Sequence, residues 1–130
     1  MTSVNAPWPD DELKQRVQTL IDKWLPILGL QNWNLELVID DEAGAMYISR
    51  ANHYRKATFS IHNKAPLDIE FTESVMERNV LHELVHLLLD SIHSFMAAEF
   101  ERDGLIWRRF INAQETATDE VTSVILRLSK

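Results

Sequence analysis

The chain contains no cysteine. That absence excludes disulfides and cysteine-ligated zinc, so any metal must be held by histidine and carboxylate. Basic charge is scarce too: 13 Lys+Arg against 20 Asp+Glu give a net charge of −7, which repels nucleic acid overall. No long apolar run occurs. The most hydrophobic stretch, Val80 to Leu89, is interrupted by His82, Glu83 and His86 and stops at Asp90, far short of a membrane span. Residues Met1 to Trp8 show no basic segment followed by an apolar one, so no signal peptide is read and a cytoplasmic, soluble protein is expected. Repeats, low-complexity tracts and linkers are missing as well. A length of 130 residues with 45% hydrophobic content predicts one domain, 1–130, with a sizeable core and a flexible tail over 1–9.

What is present follows two hydrophobic periods. Leu13, Val17, Leu20, Ile21, Trp24 and Leu28 recur at helical spacing behind Asp10, Asp11 and Glu12, predicting an amphipathic helix that ends or kinks near Trp24, ahead of Pro26. Leu35, Leu37 and Ile39 alternate as a strand, and Asp40 to Gly44 reads as a turn. Residues 45–51 form a weaker strand; Ala57, Phe59 and Ile61 mark a third. A three-stranded antiparallel or mixed sheet with one face on the core is expected. Ser74 and Glu77 resemble a capping box that opens a helix running to about Asp90. A short helix is expected over Phe95–Glu101, closed by Asp103-Gly104. A last helix is expected from Asn112 or Ala113 to Leu128, burying Ala117, Val121, Val124, Ile125 and Leu128. Helix, strands, then helices make the fold class α+β. Trp24 and Trp33 read as core residues, Trp107 with Phe110 and Ile111 as a cleft flank, and Arg108-Arg109 as a solvated pair.

The chemistry concentrates in His82-Glu83-Leu84-Val85-His86. On a helix, His82 and His86 at i and i+4 project from one face and can close on a single ion. Glu83, rotated by about 100° from His82, can reach a water at the metal without ligating the metal. A zinc hydrolase needs neutral imidazole ligands, an open coordination position and a base for the water's proton. Two histidines and a glutamate on a solvated helix face are the plainer alternative. Against it, Val80, Leu81, Leu84, Val85, Leu87, Leu88 and Leu89 surround them, and buried imidazole and carboxylate need partners.

A third ligand is required, and His93, Glu99, Glu101, Glu115, Asp119 and Glu120 are available. Glu115 and Asp119 form an i, i+4 acidic pair on the last helix; such a pair gives one carboxylate to the metal and another to a ligand histidine's second N–H. Acids near a helix N-terminus are also favoured by the dipole alone, and Glu120 remains the alternative third ligand. His93 falls one off the metzincin spacing, which also wants glycine where this chain has Leu89. His62 and His93 are possible cleft-lining residues, and Arg50, Arg55, Lys56 and Lys64 make a local basic block, read as a solvated surface strand rather than a nucleic-acid patch.

With its His-Glu-Leu-Val-His helix, three preceding strands and a later glutamate helix, the chain from Leu35 to Leu128 resembles a minimal zincin of the gluzincin type, close in kind to small phage- and prophage-encoded metallopeptidase domains. The resemblance implies one zinc ion, ligands His82, His86 and Glu115, support from Asp119, Glu83 as general base, and a protein or peptide substrate. It also implies an edge strand, for which Lys56–Asn63 is the candidate, that pairs with extended substrate. The chain lacks the cysteine ribbon frequent in Sprt-like relatives. A zincin-shaped binding module with a structural metal, or none, is the alternative. Oligomeric state has no sequence signal here.

Overall fold

The computed structural model describes residues 4–5, 9–39, 47–51, 55–61, 64–65, 72–101 and 104–129. In chain order the elements are β1 (Val4–Asn5), α1 (Asp10–Ile27), β2 (Asn34–Ile39), β3 (Tyr47–Ala51), β4 (Lys56–Ile61), β5 (Lys64–Ala65), α2 (Glu73–Leu88), α3 (Asp90–Glu99) and α4 (Leu105–Leu128). The class is α+β, as expected. No described helix is long and apolar enough to cross a membrane. Within the stretch expected as a tail, Val4 and Asn5 pair antiparallel with Ala65 and Lys64.

Helix α1 starts behind its three acids and buries Leu13, Val17, Ile21 and Trp24. It does not stop at Trp24. Pro26 sits in the last turn, and the helix closes one residue beyond Ile27 with a Schellman pattern: Gly29 N–H donates to Pro26 O at 3.1 Å and Leu30 N–H to Leu25 O at 2.9 Å. Gly29 supplies the left-handed turn, φ 73°, that this closure needs.

The main sheet is mixed, in the order β2-β4-β3. β4 runs parallel to β2 (Asn34↔Lys56 through Ile39↔Ile61) and antiparallel to β3 (Tyr47↔Ser60 through Ala51↔Lys56). The strand expected at the edge is therefore the central one, and Ala57, Phe59, Ser60 and Ile61 are all buried. Their near-continuous burial is the mark of a strand flanked on both sides. β3 is an edge instead. The Asp40–Gly44 turn lies outside the described residues, as do His53, Tyr54, His62 and Asn63.

Helix α2 is capped by Thr72, whose hydroxyl accepts from Val75 N–H at 3.2 Å, not by Ser74. Glu77, expected to complete a capping box, turns instead to α1, accepting from Lys23 Nζ at 2.8 Å and Trp24 Nε1 at 3.0 Å. Burial pushes the Glu77 carboxyl up, but the Lys23 and Trp24 hydrogen bonds and the Lys23 charge together hold it below its ordinary value of 4.5. The inward face of α2 buries Met76, Val80, Leu81, Leu84, Val85 and Leu87 in a core shared with α1, Trp33 and β4.

The C-terminal half departs most from expectation. α2 ends at Leu88, and α3 begins at Asp90 rather than Phe95. α4 begins at Leu105, after Gly104, so Trp107, Phe110 and Ile111 belong to a helix. Of the expected stripe, Val121 and Ile125 pack partly buried against the core. Gln114, Thr118 and Thr122 are buried, whereas Val124 and Leu128 are 44% and 80% exposed. Burying the threonines leaves no donor unmet, because Thr118 Oγ1 donates to Gln114 O and Thr122 Oγ1 to Thr118 O, both at 2.7 Å.

Candidate metal centre

Helices α2 and α4 run antiparallel along a polar seam. Arg78 meets Ser123, His82 meets Asp119, and His86 meets Glu115; each step of one turn up α2 is matched by one turn down α4. Side chains four apart stack on one helix face, so these contacts follow from the i, i+4 spacing on both helices. Thr118 and Thr122 lie beneath the seam.

The centre itself has one carboxylate facing two rings. Glu115 Oε1 lies 3.0 Å from His86 Nε2, and Glu115 Oε2 lies 3.4 Å from His82 Nε2. The imidazole centroids are 4.9 Å apart with planes at 78°, so both Nε2 atoms converge on the same space. On the other side of its ring, His82 Nδ1 is 2.9 Å from Asp119 Oδ1. His82 Nε2 lies 3.4 Å from Glu115 Oε2 and 3.8 Å from Glu83 Oε2. Two carboxylates this close to one ring nitrogen call for a positive charge between them. A proton or a metal ion meets that requirement, and the donor set of imidazole nitrogen and carboxylate oxygen suits zinc.

Glu83 stands apart from the seam. Its Oε1 accepts the backbone N–H of Ile48 in β3 at 3.1 Å, which leaves Oε2 on the side of the His82 ring nitrogen. His82, Glu83 and His86 each offer a ligand atom within 4.8 Å of the others. Of the two glutamates, Glu115 is the better third ligand, because it touches both Nε2 atoms while Glu83 is partly committed to β3. The groups also differ in shelter. His82, Glu83 and His86 side chains are 19%, 13% and 12% exposed, against 54% and 62% for Glu115 and Asp119. One wall of the centre is set in the α2 surface and the other opens to solvent.

Two sequence candidates lie elsewhere. Glu120 is exposed on α4 and contacts neither histidine among the described residues. His93 sits between α3 and α4, with Nδ1 3.1 Å from Gln114 Oε1 and its ring 5.5 Å from that of Trp107. The Ile48 amide was missed by reading residue types, since a backbone N–H carries no signature in sequence. Arg78 and Ser123 were missed as well, although both fall on the i, i+4 rows that pass through the histidines and acids. Comparison with family models, curated proteins and solved structures yields no match to this chain.

Proposed function

We propose that this chain is a zinc-dependent peptide hydrolase of the gluzincin type, with His82, His86 and Glu115 as ligands to one ion and Glu83 as general base. The observation that carries the reading is the convergence of both histidine Nε2 atoms on one Glu115 carboxylate, with Asp119 Oδ1 2.9 Å from the far ring nitrogen of His82. Zinc in such a site supplies a Lewis acid and an acidified water. Glu83, oriented by the Ile48 amide, takes a proton from the attacking water and passes it to the departing amine. Asp119, beside Nδ1 of His82, is the acid that would hold that ring with Nε2 toward the ion.

A second reading has its own support. A carboxylate that accepts an edge-strand N–H also does what a purely structural acid does, tying α2 to β3. In that case the chain is a binding module whose metal is structural or absent. Glu83→Gln separates the two, because glutamine retains an oxygen for the Ile48 amide but cannot act as a base. The hydrolase reading predicts zinc retained at the parent's stoichiometry and cleavage of a denatured protein substrate lost. The module reading predicts that no substrate is cleaved by the parent either.

A further inference from the structure

The polar seam continues one turn past the metal centre, and there its charge changes sign. Arg78, four residues before His82, donates from Nη2 to Ser123 Oγ at 2.7 Å, and Ser123 is four residues after Asp119. Arg127, a further turn along, stands in the last turn of α4. Among the described residues neither arginine pairs with a carboxylate, whereas Arg16 is held by Glu12 and Glu73 and Lys23 by Glu77. Arg78 has a hydroxyl partner instead, which orients the guanidinium and leaves its remaining N–H groups without a carboxylate among the described residues. Asp119, the nearest acid along the seam, is engaged by His82.

We infer that Arg78 and Ser123, with Arg127 beyond them, form a subsite for a carboxylate of the ligand that lies over the metal centre. As a statement about a peptide substrate it rests on the hydrolase reading. One helical turn places the Arg78 rung about 6 Å from the His82 rung. An extended peptide advances about 3.3 Å per residue, so the carboxylate belongs roughly two residues from the group held at the centre. A guanidinium with free N–H groups matches a carboxylate in charge and fork geometry, and Ser123 Oγ adds a further donor once its own hydrogen is turned outward. Two carboxylates carry this chemistry, the free C-terminus of a peptide and an internal Asp or Glu side chain.

The test uses three peptides of one neutral sequence, ending in a free carboxylate, in an amide, or in an amide with one internal Glu. They are titrated by calorimetry into the Glu83→Gln protein, with and without zinc, and into Glu83→Gln combined with Arg78→Gln or Arg78→Lys. The expected result is free-acid binding roughly tenfold tighter than the amide, as for a hydrogen bond to a charged group. That preference should vanish in Arg78→Gln, persist largely in Arg78→Lys, and shrink with added salt. Equal gain by the internal-Glu peptide identifies a side-chain carboxylate; gain by the free acid alone identifies a C-terminus. Equal binding of all three, a preference that survives Arg78→Gln, or no binding in any arm overturns the subsite. Cleavage of the amide by the parent as readily as the free acid overturns it while leaving the hydrolase reading intact. A carboxylate preference with no cleavage by the parent has the opposite meaning.

Discussion

The two long faces of α2 are used in contrasting ways. Its core face carries Met76, Val80, Leu84 and Leu87, and the described polar links to α1 are Glu77 with Lys23 and Trp24 and Glu73 with Arg16. Toward α4 it presents Arg78, His82 and His86, and α4 answers with Ser123, Asp119 and Glu115 over a bed of buried threonine. The first contact has the composition of a core, where stability comes from apolar area removed from water. The second spends a potential helix–helix interface on groups that are costly to shelter and that fold the chain poorly by themselves.

Substitutions on the two faces should therefore separate stability from chemistry. On the hydrolase reading the largest effect belongs to Glu83→Gln, where loss of the proposed general base should lower turnover by about 10²–10⁴-fold with zinc content and thermal midpoint unchanged, as measured by initial rates and differential scanning calorimetry. Next is Leu84→Ala on the core face, expected to cost about 2–5 kcal/mol in urea unfolding because Leu84 is fully buried, while leaving intrinsic zinc affinity of the folded protein unaltered. Asp119→Ala, which removes the partner of His82 Nδ1, should weaken zinc binding by about 10–100-fold in a competition titration and barely change stability of the zinc-free protein.

The smallest effect is the pH dependence of the α1–α2 clamp. The Glu77 carboxyl is held below its ordinary value in the folded chain, so its contribution to stability is present above that value and is lost as pH falls through the folded one. Glu77→Gln should be less stable than the parent at neutral pH. The gap should close as the solution is taken below the carboxylate range, by urea unfolding at a series of pH values. A gap that widens in acid would place Glu77 in a different role.

The same contrast explains what could be read from the sequence. Where burial decides structure, hydrophobic period was a good guide: Leu13, Val17, Ile21 and Trp24 in α1, and Val80, Leu81, Leu84 and Val85 in α2, all lie in the core. On α4 the guide was half right: Val121 and Ile125 pack against the core, but the fully buried positions are Gln114, Thr118 and Thr122, and Val124 and Leu128 face outward. Threonine hydroxyls satisfied within the helix make that polar burial tolerable. The position of β4 was also missed, since alternation in Ala57, Phe59 and Ile61 shows which face is buried but not which neighbours pair. Within the candidate site, the spacing of His82, His86, Glu115 and Asp119 was legible because i, i+4 rows survive any rotation of the helix. The Ile48 amide was not, since its meeting with Glu83 depends on which strand forms the sheet edge.

Zinc K-edge absorption spectroscopy on the metal-loaded protein, with Glu115→Ala alongside, tests the central claim most directly. Two imidazole shells at about 2.0–2.1 Å plus carboxylate oxygen, the oxygen shell falling by one in the variant, are the predicted result. Fewer than two imidazoles, or a coordination sphere indifferent to the loss of Glu115, would contradict it.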